Sequence, residues 1–376
     1  MAVGLNIETV LSKYRLMVGN ELRRFLDQAE QEAQVEMLSP FYGQMRYHLG
    51  WAHADLSPIE DKPGKFLGKF LRPTLLLLAH QASFPAQPSS DDTRGLPYRL
   101  EQILPAAVAV ELVHNFSLIH DDIEDNDPLR HHRPTLWKLW GQPQAINTGD
   151  GLFCIARLAL WELAKNGVDA HTILTLARIF DSACLALCEG QHLDISFERQ
   201  REITVALYLS MIGRKTAALM QCATEMGARL ATSDASQIAR LSTFGRSLGI
   251  AFQLRDDLLG VWAAENELGK APAGDIRRKK MSLPIIDALE HAAPAQQDRL
   301  RAIYAEEGQA SDEQVTEALA IFAASGVRLR CQKRLASAIL SAQQALEAIA
   351  WSESGEQAQH ELNALLTFLA REAHRS

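Results

Sequence analysis

Along most of this chain apolar residues return every three or four positions with polar residues between them, the spacing of helices that bury one face. Val10 to Glu36 reads as one or two such helices with an exposed face. Around His53 to Pro63 the regularity lapses, and KPGKFLGKFLRPTLLLLAHQA follows. Apolar helical patterns then cover Leu104–Asn126, Gly149–Asn166, Asp169–Phe197, Thr204–Leu230, Ser233–Ala264, Leu283–Glu306, Asp312–Ala324 and Val327–Arg371. The polar, proline-rich stretch from Phe84 to Pro97 reads as an inter-helix loop, not a boundary. Strand-like alternation is almost absent and no internal repeat stands out. The expected fold is all-α, a single-domain helical bundle over residues 1–376.

Composition narrows the picture. An apolar fraction of 47% is enough for a large core, and 38 basic against 46 acidic residues, net charge -8, argue against a general nucleic-acid binder. The five cysteines form no paired CxxC set. Cys184 and Cys188 stand four apart, but no second pair completes a metal site, so reduced core cysteines and a cytoplasmic, reducing setting are expected. The N-terminus lacks the apolar region of a secretory signal. No apolar run approaches the roughly 18 residues of a membrane span, so no transmembrane segment is expected.

The chemistry gathers in ELVHNFSLIHDDIEDNDPLRHHRPT, Glu111 to Thr135. Asp121, Asp122, Glu124, Asp125 and Asp127 follow an apolar helical run, and carboxylates are seldom buried unless paired or holding metal. On a helix, Asp121 and Asp125 stand one turn apart, where they can share a divalent cation. The competing reading is a solvated helix end. A second pair, Asp256 and Asp257 in FQLRDDLLG, again follows an apolar run. Facing each other across a bundle, the two pairs would line a pocket suited to Mg²⁺ shared with substrate phosphates. Three basic clusters could receive those phosphates: Lys65, Lys69 and Arg72; Arg130, His131, His132 and Arg133; and Lys270 with Arg277, Arg278, Lys279 and Lys280.

Taken in order, GKFLRP, HNFSLIHDDIED, EGQHLD, GRKT, FQLRDD and GDIRRKK resemble the motifs of the trans-isoprenyl diphosphate (polyprenyl) synthases, over about Gly64 to Pro284. The resemblance implies the all-α prenyltransferase fold, a homodimer, and Mg²⁺-dependent extension of an allylic diphosphate with isopentenyl diphosphate. Residues 1–60 would form an N-terminal helical segment, 64–284 the motif-bearing core and 285–376 the C-terminal helices. By the same resemblance Asp121 and Asp125 hold two Mg²⁺ ions with Asp122 in support, and Asp256 holds a third. Arg130, Lys215 and Lys280 match the groups that hold the allylic diphosphate, with His131 and Lys270 in the same basic clusters. Lys69, Arg72 and His114 match the isopentenyl diphosphate pocket. Gln191, Asp194, Thr216 and Gln253 match positions near the reacting carbons; Gln191 and Thr216 also fit plain interhelical hydrogen-bonders, and His114 a core histidine. Phe116 lies about one and a half turns below Asp121. An aromatic residue there, beside the small Ser117, resembles synthases of geranylgeranyl (C20) products, then farnesyl (C15). Ordinary core packing is the alternative for Phe116.

Two positions depart from the family pattern. Gly260 stands where a third aspartate is usual, which weakens the hold expected on the third ion, and His131 stands where a second arginine is common. A class I terpene cyclase would share the fold, but its second motif is broken here at Gly260 and Ala264, and it needs no Lys69, Arg72 and His114 pocket. A non-catalytic partner subunit draws support only from DDLLG. A metal-dependent phosphohydrolase could use His120 and Asp121 but leaves the second pair unexplained.

Overall fold

The computed structural model describes residues 7–59, 68–84, 96–197, 200, 203–263, 273–349 and 351–373, with the backbone alone at 354 and 371–373. Helices dominate, as the periodicity predicts. Among the described residues the strands are two-residue pieces, β1 (Leu129–Arg130) and β2 (Arg133–Pro134), paired antiparallel. The chain divides into two compact units, one of Met1–Cys184, Cys222–Leu241 and Ala350–Ala364, the other of Leu185–Gln221, Ser242–Ile349 and Leu365–Ser376.

The first unit opens with α1 (Ile7–Ala33), a single helix whose buried side, Val10, Leu11, Tyr14, Val18, Leu22, Phe25 and Leu26, follows the helical period. After α2 (Ser39–His48) comes α3 (Leu71–Ala82), entered through left-handed Phe70. The centre is α4 (Leu100–Glu124). Its Ala106, Ala107, Val108, Ala109 and Val110 are wholly buried, so no polar stripe is left, and these small side chains let α6 (Gln142–Glu162) lie along it after the short α5 (Leu136–Trp140). Each buried valine or leucine here contributes about 1.5–3 kcal/mol. The long α7 (Ala170–Phe197) runs on from this unit into the second. Contrary to the sequence expectation, α4 and α7 are each long and apolar enough to cross a membrane; most of the apolar stretch of α4 is buried inside the protein, which makes it a core helix.

The expected helix Thr204–Leu230 is three pieces, which begin in the second unit and pass into the first at Cys222. Thr204 caps α8 (Val205–Ile212), a π-helical turn covers Gly213–Ala217, and α9 (Ala218–Arg229) continues. The remaining helices are α10 (Ala235–Trp262), α11 (Gly274–Arg277), α12 (Leu283–His291), α13 (Pro294–Ala305), α14 (Asp312–Ala324), α15 (Val327–Glu347) and α16 (Glu356–Ala373). Both α10 and α16 have residues in each unit; within the second unit α12 packs on α8, α14 and α15. The sequence pattern runs through the break between α12 and α13, where Pro294, which has no N–H to donate, starts a new helix. It also begins α6 late, because Gly141 at φ 82 ends α5 and Pro143 enters the first turn of α6.

Candidate active site

In the first unit the helical ladder continues past the end of α4, with Asp125 N–H donating to Asp121 O at 2.9 Å, so both carboxylates do stand one turn apart. The adjacent aspartate does different work. Asp122 is 3% exposed and takes Arg130 Nε and an Arg130 terminal nitrogen, each at 2.8 Å, while the Asp121 side chain, 23% exposed, lies 3.7 Å from the same guanidinium. Burial pushes the Asp122 carboxyl above its usual range, and Arg130 opposes that shift. Asp125 is exposed.

Arg130 is aimed by the β1–β2 hairpin. Its two central residues, His131 (φ 51) and His132 (φ 61), are both left-handed, the geometry of a type I′ turn built without glycine. Arg133 anchors the far strand to the end of α2, donating to the carbonyls of Tyr47 at 3.1 Å and Ala52 at 2.6 Å and lying 4.1 Å over the Tyr47 ring. The Tyr47 hydroxyl donates to Pro134 O at 2.7 Å. His131 is exposed.

Deeper in α4, burial pushes the Glu111 carboxyl up to about 7, against the pull of Arg72 and of Asn115, which donates to it at 3.1 Å. His114 is driven well below the ordinary histidine range by burial and by the Arg72 and Arg130 charges. It is a neutral imidazole at physiological pH. Lys69 is exposed and Arg72 half-buried, both at the entrance to α3. Phe116 is half-buried, with its ring 5.1 Å from that of Phe153 on α6 and 5.3 Å from that of His120; Ser117 Oγ bonds back to His114 O at 2.7 Å.

The second unit repeats the division of labour. Asp257 is 1% exposed and accepts from the Tyr208 hydroxyl, from Gln253 Nε2 at 3.1 Å and from Leu283 N–H at 3.3 Å. Burial pushes its carboxyl up to about 6, against Lys280 and these donors. Asp256 has a side chain 45% exposed, 3.8 Å from Arg255. Gln253 Oε1 in turn accepts from Thr216 Oγ1 at 3.0 Å, and Lys215 Nζ meets Asp194 Oδ2 at 2.6 Å. Lys215 and Thr216 belong to the π turn, a form of helix often found at functional sites. Gly190 of α7 and Gly249 of α10 flank that turn. A Cβ on Gly190 would lie 2.7 Å from Lys215 Cα, and one on Gly249 2.6 Å from Ala217 Cα, so backbone packs on backbone. Gln191 is half-buried beside Gly190. Lys65 and Lys270 lie outside the described residues.

The profile of the polyprenyl synthetase family matches residues 63–322. The chain belongs to this family. It is 37% identical over 307 residues to a geranylgeranyl diphosphate synthase of Mycobacterium tuberculosis (strain ATCC 25618 / H37Rv), which covers 81% of each chain. Among solved structures it resembles a polyprenyl synthetase from Streptomyces coelicolor A3(2), with TM-score 0.80 and 32% identity over 97% of this chain and 99% of that one. A polyprenyl synthase from Caulobacter crescentus CB15, complexed with calcium and isoprenyl diphosphate, matches with TM-score 0.72 and 25% identity over 97% and 98% of the two chains. As a member of the polyprenyl synthetase family the chain is a prenyltransferase with the all-α isoprenoid synthase fold.

The family motifs leave out several residues that shape these sites. Tyr208 and Tyr47 brace them from α8 and α2, and neither carries a local signal in the sequence. Gly190 had one, lying inside EGQHLD, yet its reason is the close approach of Lys215, which no spacing shows.

Proposed function

We propose that the chain extends an allylic diphosphate with isopentenyl diphosphate to a short-chain all-trans prenyl diphosphate, C20 or C15, using up to three Mg²⁺ ions. One observation carries the reading. In both aspartate pairs the second member is buried and bonded to protein, while the first is accessible. Such a pattern leaves Asp121 with Asp125, and Asp256, able to meet cations. Mg²⁺ keeps several waters and takes substrate phosphate oxygens along with one or two carboxylates, the number each pair offers. Bound there, it would neutralise the diphosphate charge that develops as the allylic C–O bond breaks.

The remaining roles belong to the chain itself. Arg130, Lys215 and Lys280 act on the allylic diphosphate, with His131 and, by its place in the sequence alone, Lys270 in the same role. Lys69 and Arg72 bind isopentenyl diphosphate, and neutral His114 contributes a hydrogen bond and no charge. Gln191, Asp194, Thr216 and Gln253 line the reacting carbons. The isopentenyl double bond attacks the allylic cation, and the released diphosphate takes the proton, so no protein nucleophile is required. Phe116, backed by Phe153 and beside Ser117, limits the length of the product. The five free cysteines fit a cytoplasmic enzyme. Leu158 and Trp161 on α6 and Leu174 on α7 are exposed apolar residues that a second copy would cover in a homodimer.

The deciding experiment incubates the purified protein with Mg²⁺, isopentenyl diphosphate and each allylic diphosphate in turn, and measures product length. A C15 or C20 prenyl diphosphate is expected. A cyclised hydrocarbon would point to a terpene cyclase, and turnover only on adding another synthase would point to a partner subunit.

A further inference from the structure

We propose that Asp275 is a positioning residue for Lys280 and that Gly260 is kept without a side chain to seat its carboxylate. The proposal rests on the reading of Lys280 as a diphosphate-holding group. Its first support is steric. A Cβ built on Gly260 would lie 2.5 Å from Asp275 Cγ and 2.9 Å from Oδ1, so even alanine would force the carboxylate away. The position where α10 lacks a carboxylate is therefore filled from the following turn. The second support is the turn itself. Ala273 (φ 53) and Lys279 (φ 56) are left-handed, and between them the chain doubles back until Lys280 N–H donates to Asp275 O at 2.9 Å. One residue thus fixes the Lys280 backbone through its carbonyl, while its carboxylate, seated against Gly260, anchors the same turn on α10. Arg278 holds that carboxylate from the other side, at 2.9 Å to Oδ1.

The electrostatics agree. Lys280 retains solvent contact, yet its surroundings are crowded enough for desolvation to oppose its charge; Asp275 first, then Asp257 and Asp194, outweigh this and raise its pKa. A lysine whose backbone is fixed in this way presents its ammonium from a defined point, with less freedom left to lose on meeting an anion. Asp275 need not touch substrate to matter. A counter-ion that merely neutralised Lys280 would have the opposite effect, because its removal would tighten anion binding.

The test is a double-mutant cycle on the full chain with Asp275→Asn, Lys280→Gln and the double variant. The readouts are KM for the allylic diphosphate, kcat, the calorimetric Kd for inorganic diphosphate with Mg²⁺, and the melting temperature. Asp275→Asn should raise KM and Kd about tenfold, as for coupled groups in one network, and should add nothing in the Lys280→Gln background. Gly260→Ala, which displaces the carboxylate without removing it, should reproduce the rise in KM. Unchanged or tighter diphosphate binding in a folded Asp275→Asn protein would overturn the proposal, and so would additive effects in the double variant. If Lys280→Gln itself leaves KM and Kd unchanged, the assignment of Lys280 fails first and the proposal with it.

Discussion

Tyr208 donates its phenolic hydrogen to Asp257 inside the second unit, and that bond ties the buried member of the Asp256–Asp257 pair to protein. Asp257 has given its lone pairs to Tyr208, Gln253 and Leu283. Tyr208→Phe should therefore cost about 1–3 kcal/mol of stability, since it strips a donor from a buried acceptor. Asp256→Asn, at an accessible position, should change stability by less than about 0.5 kcal/mol while lowering turnover sharply. Chemical denaturation and steady-state assays of the two variants check the contrast; equal stability losses would contradict it.

Asp121→Ala should abolish turnover with the fold intact. A solvated helix end would tolerate the change, so an active Asp121→Ala protein would remove this residue from the metal site. Circular dichroism alongside the product assay separates lost chemistry from lost folding.

Phe116→Ala should lengthen the product by at least one five-carbon unit under the proposed role of the ring, which meets that of Phe153. Chromatography of the dephosphorylated products reads the change directly. An unaltered length would place the limit elsewhere in the chain.

His132→Gly should stabilise the protein by about 1 kcal/mol, because a left-handed residue with a Cβ is strained and glycine is not. Thermal unfolding measures it. A drop in melting temperature would mean that the histidine side chain makes contacts worth more than the strain.

Glu111 supplies a pH test. The folded chain holds its proton up to about pH 7, whereas the unfolded chain releases it near the ordinary value of 4.5. The folded state thus binds more protons across that window and loses stability as pH rises through it. Glu111→Gln stays neutral throughout. Its unfolding free energy, relative to the native sequence, should grow by about 3 kcal/mol between pH 4.5 and 7, and a constant difference would refute the shifted carboxyl.

Helix positions were legible in the sequence because burial repeats with the helical period, and Asp312–Ala324 was read to the residue. Breaks without a change of period were not: α12 and α13 form one apolar pattern, and only Pro294 marks the division. The aspartate pairs were legible as pairs. Which member faces solvent depends on Arg130 eight residues on and Tyr208 forty-nine residues back, and such tertiary partners leave no trace in local spacing. Gly260 shows the same limit. In sequence it reads as a missing carboxylate, and in space another carboxylate occupies its face.

The π turn at Gly213–Ala217 also sets a register. It takes in one residue more than an α-helical turn would, so α9 is rotated by about 100° relative to a continuous helix from α8. Removing Gly213 or Arg214 from it would return Lys215 and Thr216 to α-helical phase and turn α9 to present a different face. That arc of the chain is therefore far less tolerant of a deletion than of a substitution.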